Sequence, residues 1–231
     1  KSPALSDGTL DPATWPDVDQ ERLSAVYGAE ADVLLRRFPP ADYEDPGSWA
    51  TATRRHQAEL LRIQVEALRI RKYRPTGGFA LDRLLDVAPA VSGSLVDHHR
   101  SPKPAYDQVA ASCATTIVVA DPPLSDIAPR STLRFRVLVV HDGRVPLNHV
   151  RVDAVLTVAG KEESWSWGGP VEADSVTLVG TVEHSLGDAT GPVDLALHLV
   201  RPADDAGAGN SAESADPGAV ANHYSGRIGV G

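Results

Sequence analysis

The chain has 231 residues, of which 42% are hydrophobic, enough for one large folded domain or two smaller ones. It carries 22 Lys and Arg against 31 Asp and Glu, a formal net charge of -9. This acidic balance argues against nucleic acid as a partner, because binding to phosphates needs clustered cationic side chains. Cys113 is the only cysteine, so no internal disulfide can form, and its small neighbours predict a buried thiol.

The sequence shows no sign of a membrane segment. No apolar run approaches the roughly 18 residues that a membrane span needs, and no signal peptide is visible. We therefore expect no membrane partner, and the compartment stays open between cytoplasmic and secreted. The chain contains no Met and starts at Lys1, so we expect that the natural N-terminus lies upstream.

The first part of the chain has helical patterns. Residues 1–16, rich in Pro, Ser, Asp and Gly, predict a loop. A helix is predicted from Asp17, which can cap it, to about Leu35. The clearest helix runs from Trp49 to about Lys72, because its apolar residues recur three and four positions apart. Its charged residues, Glu66 among them, lie mainly on the other side, which predicts that they face solvent.

The stretch from Tyr73 to Tyr106 joins these helices to an all-β region. Phe79–Leu85 predicts a short buried strand, and Val87–Val96 predicts a mixture of loop and strand. Pro102–Ala111 is compatible with a last helix, with Pro104 in its first turn.

After Cys113 the pattern changes to strands. Apolar and polar residues alternate, and Gly, Pro, Asn and Asp fall between the segments. The seven predicted strands are Thr116–Ala120, Thr132–His141, Val150–Ala159, Glu163–Trp167, Ser175–Glu183, Val193–Val200 and Val220–Ile228. Short strands at this spacing favour a β-sandwich of immunoglobulin type. Residues 202–217 are poor in apolar side chains and predict a mobile hairpin loop.

No complete active site is visible in the sequence. Paired carboxylates could act as acid and nucleophile in glycoside hydrolysis. However, no Glu in residues 1–112 follows a convincing strand. The glutamates there predict solvent-exposed positions on helices or beside them; they are Glu21, Glu30, Glu44, Glu59 and Glu66. Nucleophile-elbow, P-loop and dinucleotide-binding patterns are absent from the sequence, so we assign no catalytic residue.

Two further pairs of residues were considered as sites. His98 and His99 would point to opposite faces of a strand, so they could not easily bind one ion, and we predict no metal site and no cofactor. Trp165 and Trp167 alternate on one strand and share a face. If exposed, they could stack on sugar rings as in a carbohydrate-binding module; if buried, they belong to the sandwich core or an interdomain contact, which is the alternative we favour.

Residues 56–106 resemble the end of the catalytic barrel in glycoside hydrolase family 2, most of all in its β-mannosidase-like members. Those enzymes typically show a YRPTGGF-like segment, an Asp three residues before a Pro, a Ser-Trp-Ser step, then an Asp and a Pro-Lys-x-x-Tyr segment. The matching residues here are Asp86, Pro89, Ser92, Ser94, Asp97, Pro102, Lys103 and Tyr106. Residues 15–19 and 39–43 resemble the segment after the family's nucleophile strand, and Asn222 and Tyr224 resemble the Asn-x-Tyr of its last sandwich strand.

The resemblance implies an α+β chain in two segments. Residues 1–112 would be the last helices and strand of a (β/α)8 TIM barrel, and residues 113–231 an immunoglobulin-like β-sandwich. The implied parent is a retaining glycoside hydrolase that acts on β-linked sugars through an acid/base Glu and a nucleophile Glu. Both would lie upstream, so we expect the chain to be inactive alone. Its expected partners are carbohydrate and either the remainder of the parent enzyme or a second copy.

Two positions depart from the family pattern. The aromatic residue that ends the family's final barrel strand aligns with Asp82, and the Trp of the Ser-Trp-Ser step aligns with Gly93. We therefore predict that Asp82 and Gly93 face the substrate, without the aromatic face on which a sugar ring stacks. The parent would bind a different sugar or be a pseudoenzyme. The alternative is a non-catalytic carbohydrate-binding or structural module.

Overall fold

The computed structural model describes residues 10–27, 30–124, 127–201 and 219–228. Residues 1–9 of the predicted N-terminal loop and the predicted loop 202–217 therefore lie outside the described residues. The chain divides into two compact units, residues 1–65 with 79–112 and residues 66–78 with 113–231.

The helices lie before residue 113. They are α1 Gln20–Tyr27, α2 Ala31–Arg37, a short 3-10 helix Pro40–Asp42, α3 Pro46–Arg69 and α4 Pro104–Ser112. The predicted long helix and last helix are confirmed as α3 and α4. The single helix predicted from Asp17 to Leu35 is wrong, because Glu30 has φ -73° and ψ 70°, outside the helical region, and starts a second helix. No helix in the described part of the chain is long and apolar enough to cross a membrane.

The residues in the first turn of α3 explain where this helix begins. The Asp45 carboxylate accepts a hydrogen bond from the Ser48 backbone N–H at 2.7 Å, and the Ser48 hydroxyl accepts one from the Asp45 N–H at 3.3 Å. This reciprocal arrangement satisfies amide groups that have no partner inside a helix. Pro46 occupies the first helical position, where its missing N–H is not needed. The Trp49 side chain is buried one turn later.

The buried strand predicted at Phe79–Leu85 is wrong. Within the described residues this segment forms one isolated bridge, between Leu85 and Val96, and no ladder. Leu84 is 62% exposed. A strand is stable only where a neighbouring strand satisfies its backbone groups along its length. No described strand runs beside this segment, and Phe79, Leu81 and Leu84 are exposed.

The described residues of the second unit form seven strands, and all seven predicted strands are confirmed. They are β1 Thr116–Asp121, β2 Thr132–His141, β3 Leu147–Val158, β4 Lys161–Val171, β5 Ser175–Ser185, β6 Gly191–Val200 and β7 Ala219–Ile228. They form a three-stranded sheet of order β1-β2-β5 and a four-stranded sheet of order β4-β3-β6-β7. Every pairing is antiparallel, so the chain combines helices with antiparallel sheets, as the sequence predicted.

One apolar core joins the two sheets. Alternate residues of β3, from Val150 through Leu156 to Val158, are buried, whereas those between them are more exposed. Phe135 of β2 and Leu195 of β6 belong to the same buried cluster. Fully burying an aliphatic side chain stabilises a fold by about 1.5–3 kcal/mol, so this period-two pattern accounts for the seven strands.

Trp165 and Trp167 pack against this core and are only partly exposed. A Cβ added to Gly180 of β5 would lie 2.1 Å from the Trp167 ring, so the ring rests on the bare backbone of that glycine. This contact confirms the core alternative for the two tryptophans and disfavours an exposed sugar-stacking face.

The prediction of a buried Cys113 is wrong. Its thiol is free and exposed. Ser112, the last residue of α4, is buried, and Cys113 follows it in the turn before β1, on the solvent side. The small residues before Cys113 therefore belong to α4 and do not enclose the thiol.

Candidate functional site

A cleft of about 560 Å³ opens in the first unit among α2, α3 and residues 82–93. Asp82 and Gly93, the two residues predicted to face a sugar, both line it. The apolar lining residues are Val33, Leu34, Phe38, Leu60, Leu61 and Val91. The other lining residues are Glu30, Arg37, Thr53, Arg54, His56, Gln57, Gln64, Arg83 and Ser92. The fold thus brings into one cleft two positions that are eleven residues apart in the sequence.

The lining of the cleft is mainly apolar, with charged and amide side chains among the apolar ones. His56 lies against Phe38, with 5.2 Å between the ring centroids. Burial lowers the pKa of His56, and the neighbouring Arg37 guanidinium lowers it further. His56 is therefore mostly neutral at pH 7, when its ring can both donate and accept hydrogen bonds.

Four residues of the family-like motif form a buried polar network beside Gly93. The Lys103 ammonium lies 3.1 Å from the Asp86 carboxylate, and their side chains are only 4% and 3% exposed. The Ser92 hydroxyl donates to Asp86 at 2.5 Å, and Lys103 donates to the Ser94 hydroxyl at 2.8 Å. A buried charge pair is stable only when hydrogen bonds satisfy its remaining donors and acceptors, and the two serines do this. We call this set the Asp86–Lys103 network.

The pKa shifts follow from this geometry. Burial by itself raises the pKa of Asp86, but hydrogen bonds from Ser92, Ser94 and Lys103 outweigh it, so the pKa lies below its ordinary value. Burial lowers the pKa of Lys103, and the Asp86 carboxylate offsets only part of that effect.

α3 holds the same turn from the other side. The Gln57 side-chain amide donates to the Gly93 carbonyl at 2.8 Å and to the Ser94 carbonyl at 3.1 Å. The sequence placed Gln57 on a helix without giving it a role, because its partners lie 36 and 37 residues away. Gln57 lies on the same helix as Arg54 and His56, one turn or less away, and this spacing was the sequence signal that could have placed it in the same site.

Asp97, another motif residue, closes a turn. Its carboxylate accepts hydrogen bonds from the backbone N–H groups of His99 and Ser101, each at 2.9 Å. Burial raises the pKa of Asp97, but these two N–H groups outweigh it, and the pKa is lowered. The His98 and His99 rings lie 3.7 Å apart. In the described ranges no three His, Cys, Asp or Glu side chains are grouped as metal ligands would be.

In the second unit Glu66 is buried, and the prediction that it faces solvent is wrong. It is 4% exposed. Its two oxygens accept hydrogen bonds from the Asn222 amide and the Tyr224 hydroxyl, both at 2.9 Å. The Tyr224 oxygen accepts from the Ala120 N–H at 3.1 Å, and Asn222 also donates to the Val118 carbonyl at 2.9 Å. The Asn-x-Tyr motif therefore binds the last turn of α3 to β1 and β7.

A second group of charges, of which only the carboxylates are well exposed, follows Glu66 in the same unit. Asp142 accepts from Arg69 at 2.9 Å and from Lys72 at 2.7 Å. Asp174 pairs with Lys72 and accepts from the Tyr73 hydroxyl at 2.9 Å. Burial lowers the pKa of Lys72, but the two carboxylates outweigh it and the pKa is raised. These contacts attach the segment after α3 to the sheets.

Comparison with known proteins identifies similar folds. No family model matches the chain, and no curated protein matches it. Among solved structures it is similar to the exo-chitosanase CsxA of Amycolatopsis orientalis, in complex with PNP-β-D-glucosamine, with a TM-score of 0.61 and 17% identity over 87% of this chain and 21% of that chain. It is also similar to the β-D-mannosidase of Dictyoglomus thermophilum, with a TM-score of 0.59 and 18% identity over 84% of this chain and 22% of that chain.

At these identities the likeness shows the fold. The chain spans about a fifth of the length of the solved structures that it matches. The arrangement of helices followed by antiparallel sheets is therefore shared with one part of each of these larger proteins.

Proposed function

We propose that the chain is the C-terminal region of a retaining glycoside hydrolase of family 2 type that acts on β-linked sugars. Residues 1–112 would supply the last helices and strand of the (β/α)8 TIM barrel, and residues 113–231 an immunoglobulin-like β-sandwich. The two catalytic glutamates belong to the remainder of the enzyme, which is the partner of this chain. Its own part is to complete the barrel and one side of the sugar site.

The observation that carries this proposal is the extent of the structural likeness. It covers 87% of the chain, helices and sheets together, and the matched proteins are an exo-chitosanase and a β-D-mannosidase. The residues behind the sequence resemblance support the same conclusion. Two buried polar networks contain these residues, one with Lys103 and Asp86 and the other with Tyr224 and Asn222. Replacing one partner would leave a buried polar group without a hydrogen bond.

The exposed segment Phe79–Leu85 also supports the proposal. It is apolar enough to be a strand, yet no described strand lies beside it. In a closed parallel barrel a strand is flanked on both sides by others. Barrel strands supplied by the rest of the enzyme would pair with this segment and cover Leu84.

We propose that Asp82 and Gly93 lie on the side that receives the sugar. Both line the 560 Å³ cleft with Arg54, His56 and Gln57. Hydrogen bonds from Arg54 and His56, and to the Gln57 amide oxygen, would hold the sugar at the two positions where the family has an aromatic surface.

The experiment is an assay of the intact protein that contains this chain, on p-nitrophenyl β-D-glucosaminide and p-nitrophenyl β-D-mannoside. We expect hydrolysis of a β-glycoside by the intact protein and none by the 231-residue chain alone. A coding region upstream that specifies no barrel strands and no Glu at their ends would contradict the proposal, and so would the absence of turnover across a panel of β-glycosides.

A further inference from the structure

The turn Ser92–Gly93–Ser94 is held at the cleft with its side chains pointing into a buried network. The Ser92 hydroxyl donates to Asp86, and Lys103 donates to the Ser92 carbonyl at 3.3 Å and to the Ser94 hydroxyl at 2.8 Å. The Ser94 N–H donates to the Ser92 hydroxyl at 3.2 Å. Both flanking residues thus point towards the charge pair, which leaves Gly93 at the cleft.

Position 93 itself is open. A Cβ added to Gly93 would meet no atom within 4 Å, and Gly93 is not among the glycines with positive φ. A larger residue therefore needs no strained backbone at this position. The backbone of the turn therefore does not require glycine at position 93. The absence of a side chain there leaves open space at the cleft.

The Asp86–Lys103 pair contacts the turn directly. Removing two charges from water is expensive, and a neutral pair of similar volume often packs as well. Its hydrogen bonds converge on the turn: Lys103 reaches Ser92 and Ser94, and Asp86 accepts from Ser92. With Gln57 holding the carbonyls of Gly93 and Ser94, the backbone of the turn is fixed from two sides.

We propose that Asp86 and Lys103 are positioning residues for this turn, and that residue 93 determines the size of the sugar substituent that the cleft accepts. With Gly at this position, the space that an aromatic ring would fill is open to a substituted sugar, such as an N-acylated one. This inference rests on the proposed function. It adds the residues that shape the sugar site and the class of sugar that the site accepts.

The first experiment tests the positioning by amide hydrogen exchange in the full chain. The variants are Lys103→Met and the double variant Asp86→Asn/Lys103→Met, which leaves no buried charge without a partner. We expect both to raise the exchange rate of the Ser94 amide about tenfold, because local opening of the turn becomes easier. The double variant should recover most of the melting temperature that the single variant loses.

The control is Asp188→Asn, which breaks an ion pair with Arg130 whose side chains are 86% and 80% exposed. It should leave exchange at residues 92–94 unchanged. If the double variant keeps the wild-type exchange rate at Ser94, the pair does not position the turn and the inference is overturned.

The second experiment tests position 93 in the intact protein, with p-nitrophenyl β-D-glucosaminide and its N-acetyl derivative as probes. We expect the wild type to accept the N-acetyl compound, and Gly93→Trp to lower the ratio of kcat/KM for the N-acetyl compound over the free amine about tenfold, because the added ring fills the space of the acyl group. The melting temperature should not change.

An unchanged ratio in Gly93→Trp, or rejection of the N-acetyl compound by the wild type, would overturn the size role of residue 93. If the intact protein hydrolyses no β-glycoside at all, it is the proposed function that fails, and the exchange experiment still decides the positioning role of Asp86 and Lys103.

Discussion

At the scale of single residues, the buried charges do most to fix the local geometry. Glu66 and Asp86 are both enclosed, yet each accepts hydrogen bonds from side chains that the fold brings to it. A buried carboxyl group without hydrogen-bond partners would cost free energy. Their partners, Tyr224 and Lys103, are therefore the residues at which substitutions should have the largest effects.

Tyr224→Phe tests the network of Glu66. The change removes the donor to one Glu66 oxygen and the acceptor of the Ala120 N–H, so buried polar groups lose their partners. We expect the free energy of unfolding to fall by about 1–3 kcal/mol, measured by urea denaturation. The matched control is Tyr106→Phe, at a hydroxyl-bearing ring that is 43% exposed. A loss as small as that of the control would contradict the account.

The pKa of Asp86 predicts how its contribution depends on pH. The folded-state pKa is lowered, whereas an unfolded Asp titrates near about 3.9. The carboxylate therefore stabilises the fold fully above its unfolded pKa, and this stabilisation is lost as the pH falls through the lower folded pKa. We expect the difference in unfolding free energy between wild type and Asp86→Asn to be largest near about pH 6 and to shrink below about pH 4.

Urea titrations of both proteins at several pH values measure this difference. Asp188→Asn serves as the control, because its ion pair with Arg130 is exposed and such pairs contribute little. A wild-type minus Asp86→Asn difference that is the same at acidic and neutral pH would show that the charge of Asp86 does not stabilise the fold.

The candidate site could be predicted in part at this scale. Asp82 and Gly93 were found from the family pattern alone, and both line the cleft. Arg54, His56 and Gln57 were not found, because a helical period of charged and polar residues indicates a solvent-facing side. That side of α3 contacts a segment 36 residues further along the chain, and local spacing carries no information about such a contact.

At the scale of elements, prediction succeeded where a segment is stabilised within its own unit. Buried and more exposed residues alternate clearly along β3 and β6, and both sheets contribute apolar side chains to one core. The strand predicted at Phe79–Leu85 was wrong for the opposite reason. The segment contains apolar residues, but a strand also needs neighbouring strands, and the described chain provides none beside it.

Gly180→Ala tests the packing between β4 and β5. The added methyl group would start 2.1 Å from the Trp167 ring, so the ring must move. We expect a loss of about 1–3 kcal/mol in unfolding free energy, the usual effect of overpacking, together with a change in tryptophan fluorescence. Gly169→Ala on β4 is the matched control, because an added Cβ there meets nothing within 4 Å. Equal stability of the two variants would contradict the described contact.

At the scale of the whole molecule, the proposal of a missing partner has a measurable consequence. Leu84 is 62% and Val87 99% exposed, and clustered apolar surface favours association. We expect the isolated chain to self-associate, with a molar mass in light scattering that rises with concentration. Leu84→Glu combined with Val87→Glu should lower that mass towards the value of a single chain.

The control for this experiment is Val145→Glu, at a residue that is 57% exposed in the second unit. It should leave the association unchanged. A wild-type chain that stays monomeric at high concentration would show that the exposed segment needs no covering partner.

In the proposed function, this chain completes a glycosidase whose catalytic residues lie elsewhere in the protein. The most direct test is the hydrolysis of p-nitrophenyl β-glycosides by the intact protein, with the anomer of the first product followed by NMR. The account predicts turnover with retention of configuration by the intact protein and no turnover by the chain of 231 residues alone. Turnover by the chain alone, inversion of configuration, or an intact protein that hydrolyses no β-glycoside would contradict it.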